Sequence, residues 1–433
     1  MRIAFFGSYF LNFEKIIKNC SIKNNSKFYF FTDKKSFSYL FKDVNVSYVE
    51  LSSFPNKNLY NLKDKEIEDF FICDKDRFDE FNIKKPSIRK LKKTANLILK
   101  NFEKWYLNNN PEILLCEGPT NFFNRLIIYF LEKNKINYFT FRTGRISNSV
   151  YLEKNKKIIF NTDFTSKINH KKDYMNPRSP LHRNIIYKLL FFKKTSLYRD
   201  IIRIKNFWKI INKEDYLLAY SGKSIELLIK TRTLYVKKII LNFLINLLNL
   251  RNYKGYQKYF IYPEHYRPES ATSAYDNNYI NDLENIKLIK NKLNDPILFR
   301  FHPSYYTKRP IIQLIKILYM CMPYISKPNQ SIEDLILNSK GSISISSSFA
   351  LDTIKLGKPS IVLGHPEYLN SKEISKNLLV IRNEKEYSKI QKYLENYKKI
   401  DNDKLDSEMQ KLYHPYNIFG GEWINILIKE CQV

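Results

Sequence analysis

The chain has 433 residues, 44% of them hydrophobic, and its 73 Lys and Arg against 43 Asp and Glu give a formal net charge of +30. This length allows two domains with cores of their own, and the apolar content excludes a disordered chain. The positive charge favours polyanions or an anionic membrane surface as partners. Nucleic acid is one such polyanion. We nevertheless expect no nucleic-acid partner, because the lysines are spread along the chain and no zinc-finger spacing, RNA-binding box or helix-turn-helix occurs.

The cysteines and the apolar runs predict the compartment. Five cysteines are widely scattered without a CxxC pair, which is typical of reduced thiols in a cytosolic protein. The apolar stretch in the first residues of the sequence is too short for a signal peptide. The longest apolar run, residues 239–250, is interrupted by three asparagines and falls short of the ~20 apolar residues of a membrane span. We therefore expect a cytoplasmic protein.

Apolar runs and helical patterns alternate through residues 1–165. The candidate strands are residues 2–6, 28–31, 46–51, 113–116 and 138–142, and residues 121–133 show a helical pattern. Such alternation predicts a doubly wound, mostly parallel sheet. The charged segment 64–105 is interpreted as a helical insertion into this domain.

Residues 166–256 have a different pattern of long, basic, helical segments. Within them, residues 223–250 keep helical spacing, and Asn242, Asn246 and Asn249 fall on one face. Two interpretations stay open: a helix that lies on a membrane surface, or a helix that packs on the core or between domains.

The α/β pattern returns in residues 257–385, and residues 386–433 are mostly helical. The candidate strands are residues 259–262, 297–302, 342–346, 360–363 and 378–381. The α/β fold class that follows is GT-B-like: two Rossmann-type domains, a helical insertion between them, and C-terminal helices that pack back on the first domain. Ligands of such sheets bind at the carboxyl ends of the strands.

A serine triplet, Ser346, Ser347 and Ser348, separates a predicted strand from a helical pattern that stops at Gly357. Backbone N–H groups and hydroxyls at such a turn suit a phosphate. The segment Arg300-Phe-His302-Pro also follows a strand, and His302 could donate a hydrogen bond to a phosphate or a leaving group. The alternative for His302 is a structural role at the start of a loop.

Three further segments follow predicted strands. Residues 262–272 contain His265 and Glu269 in a loop stiffened by two prolines, which favours either a binding site or a salt-bridge cluster. Arg142 and Arg145 flank a glycine turn and would suit a carboxylate or phosphate. Glu117 could serve as a base or nucleophile, or could cap the helix that follows.

Four of these segments together resemble a known family. YPEHYRPESAT (262–272) looks like the HxxPEAST loop of the bacterial capsular polysaccharide biosynthesis family, which includes the β-Kdo transferases of capsule and lipopolysaccharide assembly. FRTGRISNSVYLEKN (141–155), FRFHP (299–303) and SSSFALDTIKLGKPSIVLG (346–364) are similar to three other motifs of that family, in the same order. The family's Gly-Thr and Glu in the last motif are here Ser347-Ser348 and Asp352.

The resemblance implies a GT-B glycosyltransferase that uses a CMP- or similar nucleotide-activated sugar, with Kdo or another sialic-type acid favoured. No metal and no further cofactor would be required, because basic and hydroxyl groups neutralise the phosphate. The residues carried over by motif divide into three groups: His302 with Ser347 and Ser348 on the phosphate, Asp352 on the ribose, and Glu269, Arg142 and Arg145 along the cleft. His265, Arg300 and Ser346 are further candidates for binding the donor.

The predicted reaction moves the sugar to a lipid-linked or anionic glycan acceptor of the capsule or lipopolysaccharide, at the inner face of the inner membrane. Glu117, or with less support Asp163, would deprotonate the acceptor hydroxyl or attack the anomeric carbon. Two alternatives stay open: a GT-B enzyme that uses UDP-sugars, and a non-catalytic glycan-binding or export-assembly protein of the same fold.

Overall fold

The computed structural model of the chain describes residues 1–7, 16–17, 26–33, 44–49, 59–80, 85–146, 148–161, 259–265, 282–302, 311–321, 324–326, 330–418 and 420–432. Its strands form two sheets. The predicted basic helical segment, including the helix over residues 223–250, lies outside the described residues, and the domain boundaries stay predictions. In the part of the chain that the structure describes, no helix has the length and apolar character needed to cross a membrane.

The first sheet is built from the N-terminal part of the chain. Its strands are β1 (Arg2–Phe6), β2 (Lys27–Thr32), β3 (Asn45–Tyr48), β4 (Ile113–Cys116), β5 (Phe139–Thr143), β6 (Val150–Lys154) and β7 (Lys157–Ile158), in the order β3-β2-β1-β4-β5-β6-β7. Strands β1 to β5 pair in parallel, and β6 and β7 extend the edge in antiparallel pairing. Every residue of β4 is buried, as expected for a parallel strand covered on both faces.

The helices described over their full length on this sheet are α1 (Asp64–Glu80), α2 (Ile88–Asn109) and α3 (Phe122–Lys133). Ser87 caps α2 by accepting a hydrogen bond from the Lys90 N–H. Five apolar residues of α2 recur at helical spacing and are buried in the core of the domain: Leu91, Ala95, Ile98, Phe102 and Trp105. The helices are thus present as predicted. Their interpretation as an insertion is wrong, because this apolar stripe makes α2 part of the layer that covers the sheet.

The second sheet is built from residues after 259. Its strands are β8 (Phe260–Pro263), β9 (Ile297–Arg300), β10 (Ile325–Ser326), β11 (Gly341–Ile345), β12 (Ser360–Leu363) and β13 (Leu378–Ile381), in the order β10-β9-β8-β11-β12-β13. All five pairings are parallel. Numbered from β8, this is the order 3-2-1-4-5-6 of a Rossmann sheet.

Helices alternate with these strands and then follow the sheet. They are α4 (Asp282–Lys290), α5 (Ile311–Cys321), α6 (Ile332–Leu337), α7 (Phe349–Lys355), α8 (Lys372–Lys376), α9 (Ile390–Asn396), α10 (Asn402–Leu412) and α11 (Ile424–Gln432). The Ser331 hydroxyl accepts a hydrogen bond from the Asp334 N–H and caps α6.

The C-terminal segment contacts the first domain. His414 and Val150 exchange two backbone hydrogen bonds of 2.9 Å. Beyond them, Trp423, Ile424 and Leu427 are buried in the same apolar cluster as the strands β1, β4 and β5. Two Rossmann-type domains with C-terminal helices confirm the predicted fold class.

Candidate functional site

Several of the predicted site residues lie at the reversal point of a sheet, the place where successive strands stop being added on one side and start being added on the other. In the second sheet this point lies between β8 and β11, because the chain builds outward from β8 on one side and from β11 on the other. Glu264 and His265 follow β8, and Ser346 follows β11. In the first sheet the corresponding point lies between β1 and β4, and Glu117 follows β4. Ligands of open α/β sheets bind at such points.

The serine triplet forms the turn between β11 and α7. Ser346 has φ 41°, a left-handed conformation that is uncommon for a residue with a side chain. Its N–H donates to the carbonyl of Leu363 (3.2 Å), and the Ser347 hydroxyl accepts from the Phe349 N–H (3.2 Å). Among the described residues, the N–H groups of Ser347 and Ser348 make no hydrogen bond. The turn thus presents the N–H groups of Ser347 and Ser348, whereas the N–H of Ser346 is used in the bond to Leu363.

His302 follows β9 and is fixed through its backbone by a buried carboxylate. The His302 N–H donates to Oε2 of Glu264 at 2.7 Å, and the Glu264 N–H donates to the carbonyl of Arg300 at 2.8 Å. Glu264 is buried. Arg300 is buried as well, and burial lowers the pKa of its guanidinium to about 10. The ends of β8 and β9 are thus tied together where the predicted site residues lie.

Arg142 and Arg145, predicted to line the cleft, each contact a carboxylate of the protein. Nη2 of Arg142 lies 3.1 Å from Oε2 of Glu153, and the guanidinium of Arg142 lies over the ring of Tyr151. Arg145 reaches the second domain, where Nε and Nη2 contact the two carboxylate oxygens of Glu367 at 2.5 and 3.2 Å. Each of the two guanidinium groups therefore already directs some of its N–H groups to a carboxylate of the protein.

Glycine at position 144 is required for the turn that presents Arg145. A Cβ there would lie 2.1 Å from the Ser149 hydroxyl and 2.9 Å from the ring of Tyr413. Side chains at Gly144 are thus excluded by close packing, and the turn stays tight enough to bring Arg145 to Glu367.

Glu367 is the charged centre of this contact between the domains. Burial alone would raise the pKa of its carboxyl. The charge and hydrogen bonds of Arg145 and the charge of Arg142 outweigh burial, so the pKa lies below its usual range. The Tyr413 hydroxyl also donates to Glu367, at 3.3 Å. The carboxylate is therefore held in its charged form by a network from both parts of the chain.

Asp352, predicted to bind the ribose, lies in the first turn of α7. Burial raises the pKa of its carboxyl to about 7, and the positive charge of Lys355 offsets part of that rise. Lys355 itself pairs with Asp406 of α10 at 2.9 Å. Near neutral pH Asp352 is thus divided between its charged and neutral forms.

Glu117 is exposed at the carboxyl end of β4. The helix that follows is capped by Asn121, whose side chain accepts a hydrogen bond from the Asn124 N–H at 2.8 Å. The cap of this helix is thus supplied by Asn121. Glu117 follows β4 at the reversal point of the first sheet, and its role as a base stays a prediction.

Comparisons with known proteins give this chain neither a family nor a function. No family model matches the chain, and no curated protein matches it in sequence. Among solved structures, KpsC of Thermosulfurimonas dismutans, a β-Kdo 2,7 transferase, is 13% identical, with 76% of this chain and 89% of that chain covered and a TM-score of 0.35. The UDP-GlcNAc 2-epimerase of Methanocaldococcus jannaschii, solved with UDP-GlcNAc and UDP, is 14% identical, with 99% and 100% covered and a TM-score of 0.34. Os79 of O. sativa, solved with UDP, is 8% identical, with 99% of both chains covered and a TM-score of 0.31.

The chain has the GT-B fold. Its two Rossmann-type sheets and its returning C-terminal helices define that architecture. Similarity at the level of these solved structures does not carry a substrate or a reaction to this chain, so both have to be argued from its own residues.

Two predicted site residues, Asp163 and Glu269, lie outside the described residues. Three residues that contact the predicted site were missed in the sequence: Glu264, Glu367 and Tyr368. Glu264 directly follows an apolar run and stands beside His265, so its position at a strand end could have indicated it. Glu367 and Tyr368 follow β12 by a few residues, but their contact with Arg145 and the serine turn has no signature in the sequence.

Proposed function

We propose that this GT-B protein is a glycosyltransferase that moves a sugar from a nucleotide-activated donor, CMP-linked Kdo or another sialic-type acid, to a growing capsular or lipopolysaccharide glycan. One observation supports the proposal: residues of separate motifs follow strands at the reversal points of both sheets, Ser346–Ser348 after β11 and Glu117 after β4, and His302 follows the neighbouring strand β9. Four motifs in the order of the capsule family support the nature of the donor.

Each residue has a role in the proposed reaction. The N–H groups of Ser347 and Ser348 bind the donor phosphate, and His302 donates a hydrogen bond to the departing nucleotide. Glu117 takes the proton from the acceptor hydroxyl as its oxygen attacks the anomeric carbon and the bond to the nucleotide phosphate breaks. We further propose that the phosphate is neutralised by these groups without a metal ion, and that the cationic chain meets an anionic acceptor or an anionic membrane.

Nucleotide binding tests the donor. A ligand that binds only the native state raises its melting temperature. In a panel of CMP, CDP, UMP, UDP and GDP with EDTA present, we expect CMP to stabilise the protein most. Stabilisation by UDP alone would assign the donor to UDP-sugars, and no stabilisation by any nucleotide would contradict a nucleotide-sugar enzyme.

Variants at Glu117 test the catalytic role. We expect Glu117→Gln to lower the rate of transfer from a CMP-sugar by about 10²- to 10⁴-fold, the usual contribution of a general base, with the affinity for CMP unchanged. Glu112→Gln is the matched control, because Glu112 is also exposed and lies at the opposite end of β4. Equal rates for the two variants would remove Glu117 from the mechanism.

A further inference from the structure

The serine turn is held by two side chains that bind its carbonyl groups. Arg145 Nη2 donates to the carbonyl of Ser346 at 3.3 Å, and the Tyr368 hydroxyl donates to the carbonyl of Ser347 at 3.0 Å. Arg145 comes from the first domain, after β5, and Tyr368 from the turn after β12. The turn is therefore fixed from both domains and not by its own strand and helix alone.

These two carbonyls determine where two N–H groups point. A peptide bond is planar and trans, so the carbonyl of one residue and the N–H of the next point in opposite directions. Holding the Ser346 carbonyl therefore orients the Ser347 N–H, and holding the Ser347 carbonyl orients the Ser348 N–H. These are the two N–H groups of the turn that make no hydrogen bond among the described residues.

The position of Arg145 depends in turn on Glu367, which binds it through two hydrogen bonds. The side chain of Glu367 is 10% exposed, and Tyr368 is fully buried. Two consecutive residues thus act on the two carbonyls, Glu367 through Arg145 and Tyr368 directly. The left-handed conformation of Ser346 needs such support, because backbone strain persists only where the surroundings fix it.

We propose that Glu367, acting through Arg145, and Tyr368 are positioning residues that set the orientation of the Ser347 and Ser348 N–H groups and thereby the affinity for the nucleotide phosphate. The inference rests on the proposed function. Neither residue touches the reacting atoms, so their removal weakens nucleotide binding and leaves the carboxylate chemistry at Glu117 in place.

Variants of both residues test the proposal on the full chain. We expect Glu367→Gln and Tyr368→Phe each to raise the Kd of the nucleotide identified in the thermal panel by about tenfold, equivalent to about 1.4 kcal/mol. Glu373→Gln is the matched control, since the Glu373 side chain is 29% exposed and pairs with Lys376 and Lys404 rather than with the turn. Its Kd should equal that of the unmodified chain.

A double variant separates positioning from general destabilisation. If Glu367 acts only through Arg145, then Arg145→Met and the double variant Arg145→Met with Glu367→Gln bind the nucleotide equally weakly. If the two substitutions lower the nucleotide affinity additively in the double variant, Glu367 does not act only through Arg145. If folded Glu367→Gln and Tyr368→Phe bind the nucleotide as tightly as the unmodified chain, the proposal as a whole is wrong.

Hydrogen exchange distinguishes failure of this proposal from failure of the proposed function. We expect the peptide over residues 343–352 to exchange faster in Glu367→Gln and Tyr368→Phe than in Glu373→Gln, without any ligand present. If the unmodified chain binds no nucleotide, the proposed function fails and this measurement alone decides whether the two residues hold the turn. Identical exchange in all variants would show that they do not.

Discussion

At the scale of single residues, the structure shows that charged side chains from elsewhere in the chain contact the motifs found in the sequence. Glu264 binds the backbone of His302, and Glu367 binds Arg145. In both cases a carboxylate, buried at Glu264 and 10% exposed at Glu367, fixes a residue that the motifs single out, so the geometry of the motif depends on a partner outside it. Partners of this kind determine how well a site is preorganised.

Glu264 offers a direct test of this dependence. We expect Glu264→Ala to lower the free energy of unfolding by about 1–3 kcal/mol, the cost of leaving a buried donor without an acceptor, here the N–H of His302. Glu264→Gln keeps an acceptor oxygen and should recover most of the loss. Urea denaturation measures the difference, with Glu395→Ala on the exposed face of α9 as the control. Equal stability of Glu264→Ala and the control would show that the His302 N–H does not depend on Glu264.

Asp352 predicts a dependence of stability on pH. Its folded-state pKa of about 7 lies above the ordinary value of 3.8, because burial penalises its charge. Between these two values the folded chain binds more protons than the unfolded chain, so this group lowers stability as the pH rises. Asp352→Asn removes the effect. We expect the variant to match the unmodified chain near pH 4 and to be more stable near pH 8 by on the order of 4 kcal/mol, since the pKa rises from 3.8 to about 7 and one pKa unit is worth about 1.4 kcal/mol.

The measurement is denaturant unfolding at a series of pH values, with Asp403→Asn as the control at an exposed carboxyl of α10. The difference between Asp352→Asn and the unmodified chain should grow with pH. A difference that stays constant across the series would contradict a raised pKa at Asp352.

At the scale of elements, the sequence predicts parallel strands well and the edges of the sheets poorly. Residues 113–116, 360–363 and 378–381 were predicted with the bounds that the structure shows, because strands buried on both faces are continuous apolar runs. The antiparallel strands β6 and β7 were missed because they follow β5 through a turn that resembles a binding loop. Strand β10 has only two residues and leaves no pattern.

The interpretation of segment 64–105 fails for a related reason. Its exposed charged residues dominate the composition, whereas the apolar stripe of α2 is what places it on the sheet. The contact between Arg145 and Glu367 could not be predicted at all, since it joins residues 222 positions apart. Motifs at strand ends can therefore be found from the sequence, but their partners depend on how the two domains meet.

At the scale of the whole molecule, the two ends of the chain share one core. Trp423 near the C-terminus is fully buried, its ring centroid lies 4.7 Å from that of Phe141 in β5, and its indole N–H donates to the Ile418 carbonyl at 2.9 Å. The same cluster contains Ile3 and Phe5 of β1. The first domain therefore lacks part of its core until the last helix, α11, has docked.

This shared core predicts a large effect from a single truncation. We expect Trp423→Ala to lower the free energy of unfolding by about 3–5 kcal/mol, the usual cost of removing a buried Trp side chain, measured by urea denaturation. Leu107→Ala, at a side chain 70% exposed on α2 of the same domain, should stay within about 0.5 kcal/mol of the unmodified chain. If both variants were equally stable, the C-terminal helix would not be part of the core of the first domain. If instead Trp423→Ala, and not Leu107→Ala, exposes the amides of β1 and β5 to hydrogen exchange, packing of α11 is needed to hold the core of the first domain together.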